Sequence, residues 1–274
     1  AELNTPSARK DLAIAISSLA AVVQDTDGAE KAKHLFKKNQ QLVESVASEL
    51  RTPYSLYHVS LSEFFTFRNA LSLNQSNHAL FESVVINSTN AKSQLNSLLK
   101  IEETIDKYSG FKQFNRNEVV AVARVKNLIS ACYIATEQID CAKSKLSQLS
   151  KTLKQLSQFN THNAKEQLVL ASFYEAQVAI TRHNFTAAED NFKVAQKIID
   201  KMLPDFWDVS YYRSLICWYY GNFLYETGKN VAAMRVIELG LTAAQRFTKY
   251  NVRNGKAILD AFSQTQRNWL ATVS

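Results

Sequence analysis

The residues NAKSQLNSLLK at 90–100 return as CAKSKLSQLSK at 141–151, with six of the eleven positions identical. Polar positions coincide as well as apolar ones, which points to duplication rather than to helix propensity alone. The repeat anchors a wider pattern. In each unit a small residue stands twelve positions before an alanine, and apolar or small residues follow that alanine by four and seven. Ala79, Ala91, Leu95 and Leu98 form one set, and Ser130, Ala142, Leu146 and Leu149 the next. Ala176, Ala188, Phe192 and Ala195 follow, and Gly221, Ala233, Ile237 and Gly240 close the series. The steps between units are 51, 46 and 45 residues. A chain made of such units must bury each one against its neighbours.

The units are helical. Six glycines and three prolines among 274 residues cannot supply the turns that an all-β fold needs every 8–12 residues or so. Apolar residues recur at three and four, as in Val119, Val122, Ala123, Leu128, Ala131 and Ala135, and in Leu168, Ala171, Phe173, Ala176, Ala179 and Ile180. Thr5-Pro6 and Thr52-Pro53 each place a capping hydroxyl before a proline at the first helical position. Asp27…Glu30, Asn115…Glu118, Asn163…Glu166 and Thr186…Glu189 have capping-box spacing. Gly110, Gly228 and the breaks at 157–162 and 200–205 mark helix ends. The expectation is about ten to twelve helices joined by short turns, with antiparallel neighbours.

The small-residue spacing resembles that of the tetratricopeptide repeat, whose small side chains let the A and B helices of one hairpin pack closely. The set at Gly221-Asn222, Leu224, Tyr225 and the turn at Gly228 resembles it best, and Phe185 stands at the aromatic position before a B helix. Steps longer than the family's period of about 34 residues mark a long-helix variant. The resemblance implies an all-α fold, a TPR-like α-α superhelix of antiparallel helical hairpins. Residues 1–70 would be an N-terminal helical region, with a first unit near 7–24 and 28–50. Residues 71–250 would hold the repeats and 251–274 a capping helix with Ala257, Leu259, Phe262, Trp269 and Leu270, all in one continuous domain. Similar long-helix variants serve as sensor domains of bacterial regulators. The resemblance therefore implies a non-catalytic module that binds a protein or peptide, the sensing or regulatory part of a signalling or transcription-regulatory protein. A receiver or helix-turn-helix domain upstream of Ala1 would settle that context.

In that family the A helices line a groove. The corresponding residues here are Arg124, Asn127, Ala131 and Ile134, then Leu170, Phe173, Gln177 and Ile180, then Leu215, Trp218, Asn222 and Tyr225. The peptide-binding candidates among them are Arg124, Asn127, Phe173, Gln177, Trp218, Asn222 and Tyr225. Amides suit peptide backbone and rings supply contact area. Asn222 matches the groove asparagine of the family's carboxylate clamp, but Trp218 stands where the clamp's basic partner belongs. Rings are dense between Phe206 and Tyr225.

The net charge is +7, which admits an acidic partner or nucleic acid. Lys31, Lys33, Lys37 and Lys38 gather on one helix, and Lys143, Lys145, Lys151 and Lys154 on a B helix. The second group is the basis of the alternative function, nucleic-acid binding through a basic helix face. No phosphate loop, HExxH or GxSxG motif is present. The expectation is therefore no enzyme, no cofactor and no metal. His34, His58, His78, His162 and His183 are scattered, and the odd set Cys132, Cys141 and Cys217 matches no zinc spacing. Reduced thiols of this kind suit a cytoplasmic protein. No run of 18 or more apolar residues exists to span a membrane.

Overall fold

The computed structural model describes residues 5–27, 29–50, 88–109, 116–203, 207–250 and 252–273. They form ten α-helices, and no strand occurs among the described residues. In chain order these are α1 (Pro6–Asp27), α2 (Ala29–Leu50), α3 (Ser88–Ser109), α4 (Arg116–Ala135) and α5 (Ile139–Ser157). Then come α6 (His162–Thr181), α7 (Phe185–Ile199), α8 (Trp207–Glu226), α9 (Asn230–Thr248) and α10 (Val252–Val273). Consecutive helices pack as pairs: α1 with α2, α4 with α5, α6 with α7, and α8 with α9. From α3 onward the pairs are joined to one another, α3 to α4, α5 to α6, α7 to α8 and α9 to α10, and α4 also packs directly on α6.

Small residues set these crossings. Ala91, Ala142, Ala188 and Ala233 are each completely buried, as are Ser130 and Ala176. Gly221 is buried too, and a Cβ there would stand 2.6 Å from the Ile237 side chain. Two helices approach to 8–10 Å or so only where side chains are this small. Around the crossings Leu149, Phe192, Ile237 and Phe262 are fully buried, each worth about 1.5–3 kcal/mol relative to exposure. Ala79 lies outside the described residues.

The three turns inside the pairs α4/α5, α6/α7 and α8/α9 are copies of one another. Glu137, His183 and Gly228 adopt positive φ of 58°, 55° and 78°, and each stands five residues before the buried alanine of its unit. The amide of the next residue reaches back to close the helix: Gln138 to Tyr133 O at 2.8 Å, Asn184 to Ala179 O at 2.9 Å, Lys229 to Leu224 O at 2.8 Å. The left-handed residue itself donates three residues back, at 3.0, 2.9 and 3.0 Å. This is the Schellman termination, which satisfies carbonyls that a helix end would otherwise leave open.

Helix starts follow the sequence in part. Thr5 Oγ1 accepts the Ala8 amide at 3.2 Å just before Pro6. The capping boxes fare differently. Asp27 is the last residue of α1, and α2 begins at Ala29. Asn163 lies inside α6, whose N-cap is Thr161. Thr186 lies inside α7, where Asn184 is the cap and accepts the Ala187 amide at 3.2 Å. The carboxylates meant for those boxes go elsewhere, Glu166 to Arg124 and Glu189 to Lys193 and Lys229. Thr52-Pro53, Gly110 and Asn115 lie outside the described residues.

In α10, Ile258, Phe262 and Trp269 are buried and Leu259 is half-buried. Ala257 is exposed, against expectation, because the buried stripe runs one position later, through Ile258. The outer face of α10 is polar, with Lys256, Asp260, Gln264 and Arg267 exposed.

Candidate functional site

The groove candidates stand on α4, α6 and α8, and most of them hold these helices together. Arg124 Nη2 lies 3.0 Å from Glu166 Oε2 on α6, and Tyr212 on α8 donates its hydroxyl to Glu166 Oε1 at 2.5 Å. One carboxylate thus ties three helices. Burial pulls the Arg124 pKa down, but Glu166 and Tyr212 outweigh it and hold the guanidinium above its ordinary value. Burial and the same carboxylate push the Tyr212 phenol well up. Asn127 is buried and donates Nδ2 to Gln167 O at 3.0 Å and to Gln167 Oε1 at 3.2 Å. Phe173 is buried and meets Tyr219 edge-on, with centroids 4.9 Å apart.

Asn127 and Phe173 therefore do not line an open groove. The reason is the direct contact of α4 with α6 and of α6 with α8, which turns inward-facing positions into inter-helix core. Periodicity places a residue on the inner face but does not set the depth at which neighbouring helices meet. Arg124 is likewise committed to Glu166.

Exposure rises along α6 and α8 toward their C-terminal ends. Leu170, Phe173 and Leu215 are buried, whereas Gln177, Ile180, Trp218, Asn222 and Tyr225 are half-buried. Tyr212 pairs with Glu166 and Tyr219 with Phe173, both 46 residues apart. This register sets Gln177 level with Phe223, within one residue of Asn222. The Asn222 Nδ2 donates to the Trp218 carbonyl at 2.8 Å, within its own helix. Trp218 donates its indole N–H to Thr265 Oγ1 of α10 at 3.2 Å and packs edge-on against Tyr219. Tyr225 stacks on Trp269 of α10, with centroids 4.4 Å apart and planes 1° from parallel. Of the seven candidates, Gln177, Asn222, Tyr225 and part of Trp218 form a surface, and α10 borders it.

The lysine group on α5 is smaller than its sequence suggests. Lys143, Lys151 and Lys154 are exposed. Lys145 is turned inward, with Nζ 2.6 Å from Glu102 Oε2 on α3, and Lys126 of α4 reaches the other oxygen of the same carboxylate at 3.6 Å. The sequence reading passes over Glu102, and it takes Glu166 only as a capping-box carboxylate and Tyr212 only as one of a dense run of rings. The available signal was a carboxylate on the apolar side of a helix that must find a cation on a neighbour.

Burial pushes the Cys132 thiol up to about 12 and the Cys217 thiol up to about 11, so both are protonated at neutral pH. Cys141 is exposed, and all three are unpaired with each other. Among the described residues no His, Cys, Asp or Glu cluster could hold a metal ion, and no helix is long and apolar enough to cross a membrane. His34 and His183 are exposed and His162 is half-buried, while His58 and His78 lie outside the described residues. The chain matches no model of a known protein family and no curated protein sequence.

Proposed function

We propose that this chain is a non-catalytic interaction module, a long-helix TPR-like superhelix that holds a segment of another protein. Its sensing or regulatory place in a signalling or transcription-regulatory protein is part of the same proposal, and it comes from the resemblance alone. The observation that carries the reading is the triplicated hairpin: one turn geometry and one buried alanine, recurring at the spacing of the sequence repeat. Repeats of this sort stack into extended surfaces that bind by shape rather than by chemistry. The surface offered here is the half-buried strip of Gln177, Trp218, Asn222 and Tyr225. The Gln177 Nε2 is buried and the Asn222 Nδ2 is taken by the Trp218 carbonyl, so a bound peptide would meet the remaining groups of these amides and the two rings. The basic-face alternative, nucleic-acid binding, loses Lys145 to Glu102 and keeps Lys143, Lys151 and Lys154.

Selection from a random-peptide display library tests this. Peptides enriched on the native chain should bind Asn222→Ala and Gln177→Ala at least about tenfold more weakly, because a recognition amide is worth about 1.4 kcal/mol or more. Both variants should melt as the native chain does. Trp218→Ala is a poorer probe, since it also removes the bond to Thr265. Equal binding by Asn222→Ala and Gln177→Ala would sink the proposal. Loss of binding in Lys143→Glu/Lys151→Glu, with steep salt dependence, would transfer the function to the basic face.

A further inference from the structure

The hairpin α1/α2 has two unlike sides. α1 turns Ala13, Ile16 and Ala20 toward α2, where all three are buried. A second apolar row on α1, Leu12, Ala15, Leu19 and Val22, is exposed, with Leu12 at 48%, Leu19 at 51% and Val22 at 58%. At about 100° per residue this row is turned about a third of a revolution from the buried one. α2 carries a matching shoulder: Leu35 and Leu42 are half-buried beside the buried Ala32, Phe36 and Val46. The helices run antiparallel, since Arg9 meets Glu49 at one end and Asp27 meets Lys31 at the other. That direction brings both shoulders to the same side of the hairpin. The other side is mostly polar, with Lys33, Lys37 and Glu44 exposed.

The seam between the two helices includes a cluster of Ala20, Ala32 and Phe36. α1 packs extensively on α2 and on no other described helix. In α10 the face turned from its neighbours is polar. Stacked helices need such a face toward water, and α1 lacks it.

We propose that the apolar side of α1/α2 is an interface with a second copy of this chain, the two hairpins meeting face to face as an antiparallel four-helix bundle. Three observations favour a copy over other occupants. The row is spaced three, four and three residues, so it reads the same in both directions. A two-fold axis then sets Leu12 against the partner's Val22 and Ala15 against the partner's Leu19, small against large. Helices of 22 residues are about 33 Å long and lie roughly 9 Å apart. Each copy thus offers about 600 Å², and the pair buries about 1,200 Å², the lower end of a stable interface. Finally, the exposed charges beside this side are of both signs, Asp11 on α1 and Lys31 and Lys38 on α2, a mixture that a second copy complements with its own.

Sedimentation equilibrium of the whole chain up to about 100 µM tests this. The expected mass is twice 30.9 kDa. Leu12→Glu/Leu19→Glu should return it to the monomer with helix content unchanged, and Ile14→Glu, on the other side of α1, should leave the dimer intact. In case the double change unfolds the hairpin, Leu19→Ala gives a milder reading: a dimer dissociation constant raised about tenfold with the same circular dichroism. A native chain that stays monomeric overturns the proposal, and so does one that binds anionic vesicles as a monomer. In the first case another segment or another protein covers the row. Dimers of native affinity in both Leu19→Ala and Leu12→Glu/Leu19→Glu overturn it equally.

Discussion

The helices on the two sides of α6 are joined by different chemistry. On the α3–α5 side, charge does the joining. Glu102 takes Lys145 at 2.6 Å and Lys126 at 3.6 Å, and Arg124 takes Glu166 at 3.0 Å. On the α8–α10 side, rings do it. Phe192 stacks on Tyr220 at 5.1 Å, Phe173 meets Tyr219 at 4.9 Å, and Tyr225 lies flat on Trp269 at 4.4 Å, while the ion pairs here, Arg213–Asp200 and Lys229–Glu189, each have one member half or more exposed. Yet the turns and the buried alanines are the same on both sides. The hairpin is therefore specified by small residues and a left-handed turn, and the joints between hairpins are free to differ. They should fail differently. A buried ion pair loses its balance when one member is removed, whereas a ring contact weakens in proportion to the area lost.

The largest effect is expected at Glu102. Its side chain is 7% exposed and those of Lys126 and Lys145 are 13%. Glu102→Ala leaves the Lys145 ammonium without its carboxylate in a place poorly solvated, and leaves Lys126 with Asp106 alone, at 3.9 Å. The cost of stranding buried charge is about 3–5 kcal/mol, read as a lowered midpoint in urea unfolding. Replacing Glu102, Lys126 and Lys145 together by apolar residues of similar size should cost much less, since well-packed hydrophobes commonly match a buried ion pair. If Glu102→Ala costs under about 1 kcal/mol, the charged joint behaves like surface pairs and the contrast between the two sides collapses.

The ring side is probed from the opposite direction, by adding an atom. A Cβ at Gly240 would stand 2.6 Å from the Phe262 ring and 2.7 Å from the Cys217 Cβ. Phe262 is fully buried between α9 and the rest of α10's inner stripe. Gly240→Ala must move α9 away from Cys217 of α8 as well as displace that ring, at a cost of about 1–3 kcal/mol. The matching change Gly221→Ala meets only the end of the Ile237 side chain, which can change rotamer, so its cost should be lower. Urea midpoints for the two variants check the order. A Gly221→Ala loss larger than that of Gly240→Ala would show that the buried Ile237 side chain yields less than Phe262 and the α8 backbone beside Cys217.

Much of the hairpin was legible in the sequence. The small-residue spacing named Ala91, Ala142, Ala188, Ala233 and Gly221, and all are buried. Thr5-Pro6 named the start of α1, and Gly228 a turn. These features depend on residues near one another in the chain, where backbone geometry fixes the outcome. The candidate site was less legible because it depends on how deeply distant helices approach. Asn127 and Asn222 occupy comparable inward positions, yet one is sealed against Gln167 and the other is half-buried. The capping boxes misled for a related reason. Glu166 and Glu189 have the right spacing for a local bond, and cations on other helices compete for them with full charge.

The smallest effects are expected at the turns, where both sides are alike and the comparison becomes a control. Glu137 and His183 hold the left-handed conformation with side chains that disfavour it, while Gly228 holds it without a Cβ. For a residue with a Cβ that conformation costs about 1 kcal/mol or more, and glycine's greater freedom in the unfolded chain returns part of the difference. Glu137→Gly should therefore stabilise by about 0.5–1 kcal/mol. His183→Gly should gain less, because the His183 ring packs edge-on against Phe185 at 6.1 Å and that contact is lost. Gly228→Ala should lose about 1 kcal/mol, and the loss is conformational alone, since a Cβ there meets nothing within 4 Å. Thermal midpoints of the three single variants, taken at one pH, give the order directly. Glu137 lies on the charged side and Gly228 on the ring side, so equal and opposite shifts mean the turn is independent of the joint it serves. A Glu137→Gly variant that melts below the native chain would show that the Glu137 carboxylate contributes more than its strained backbone costs, and the three turns would no longer count as equivalent.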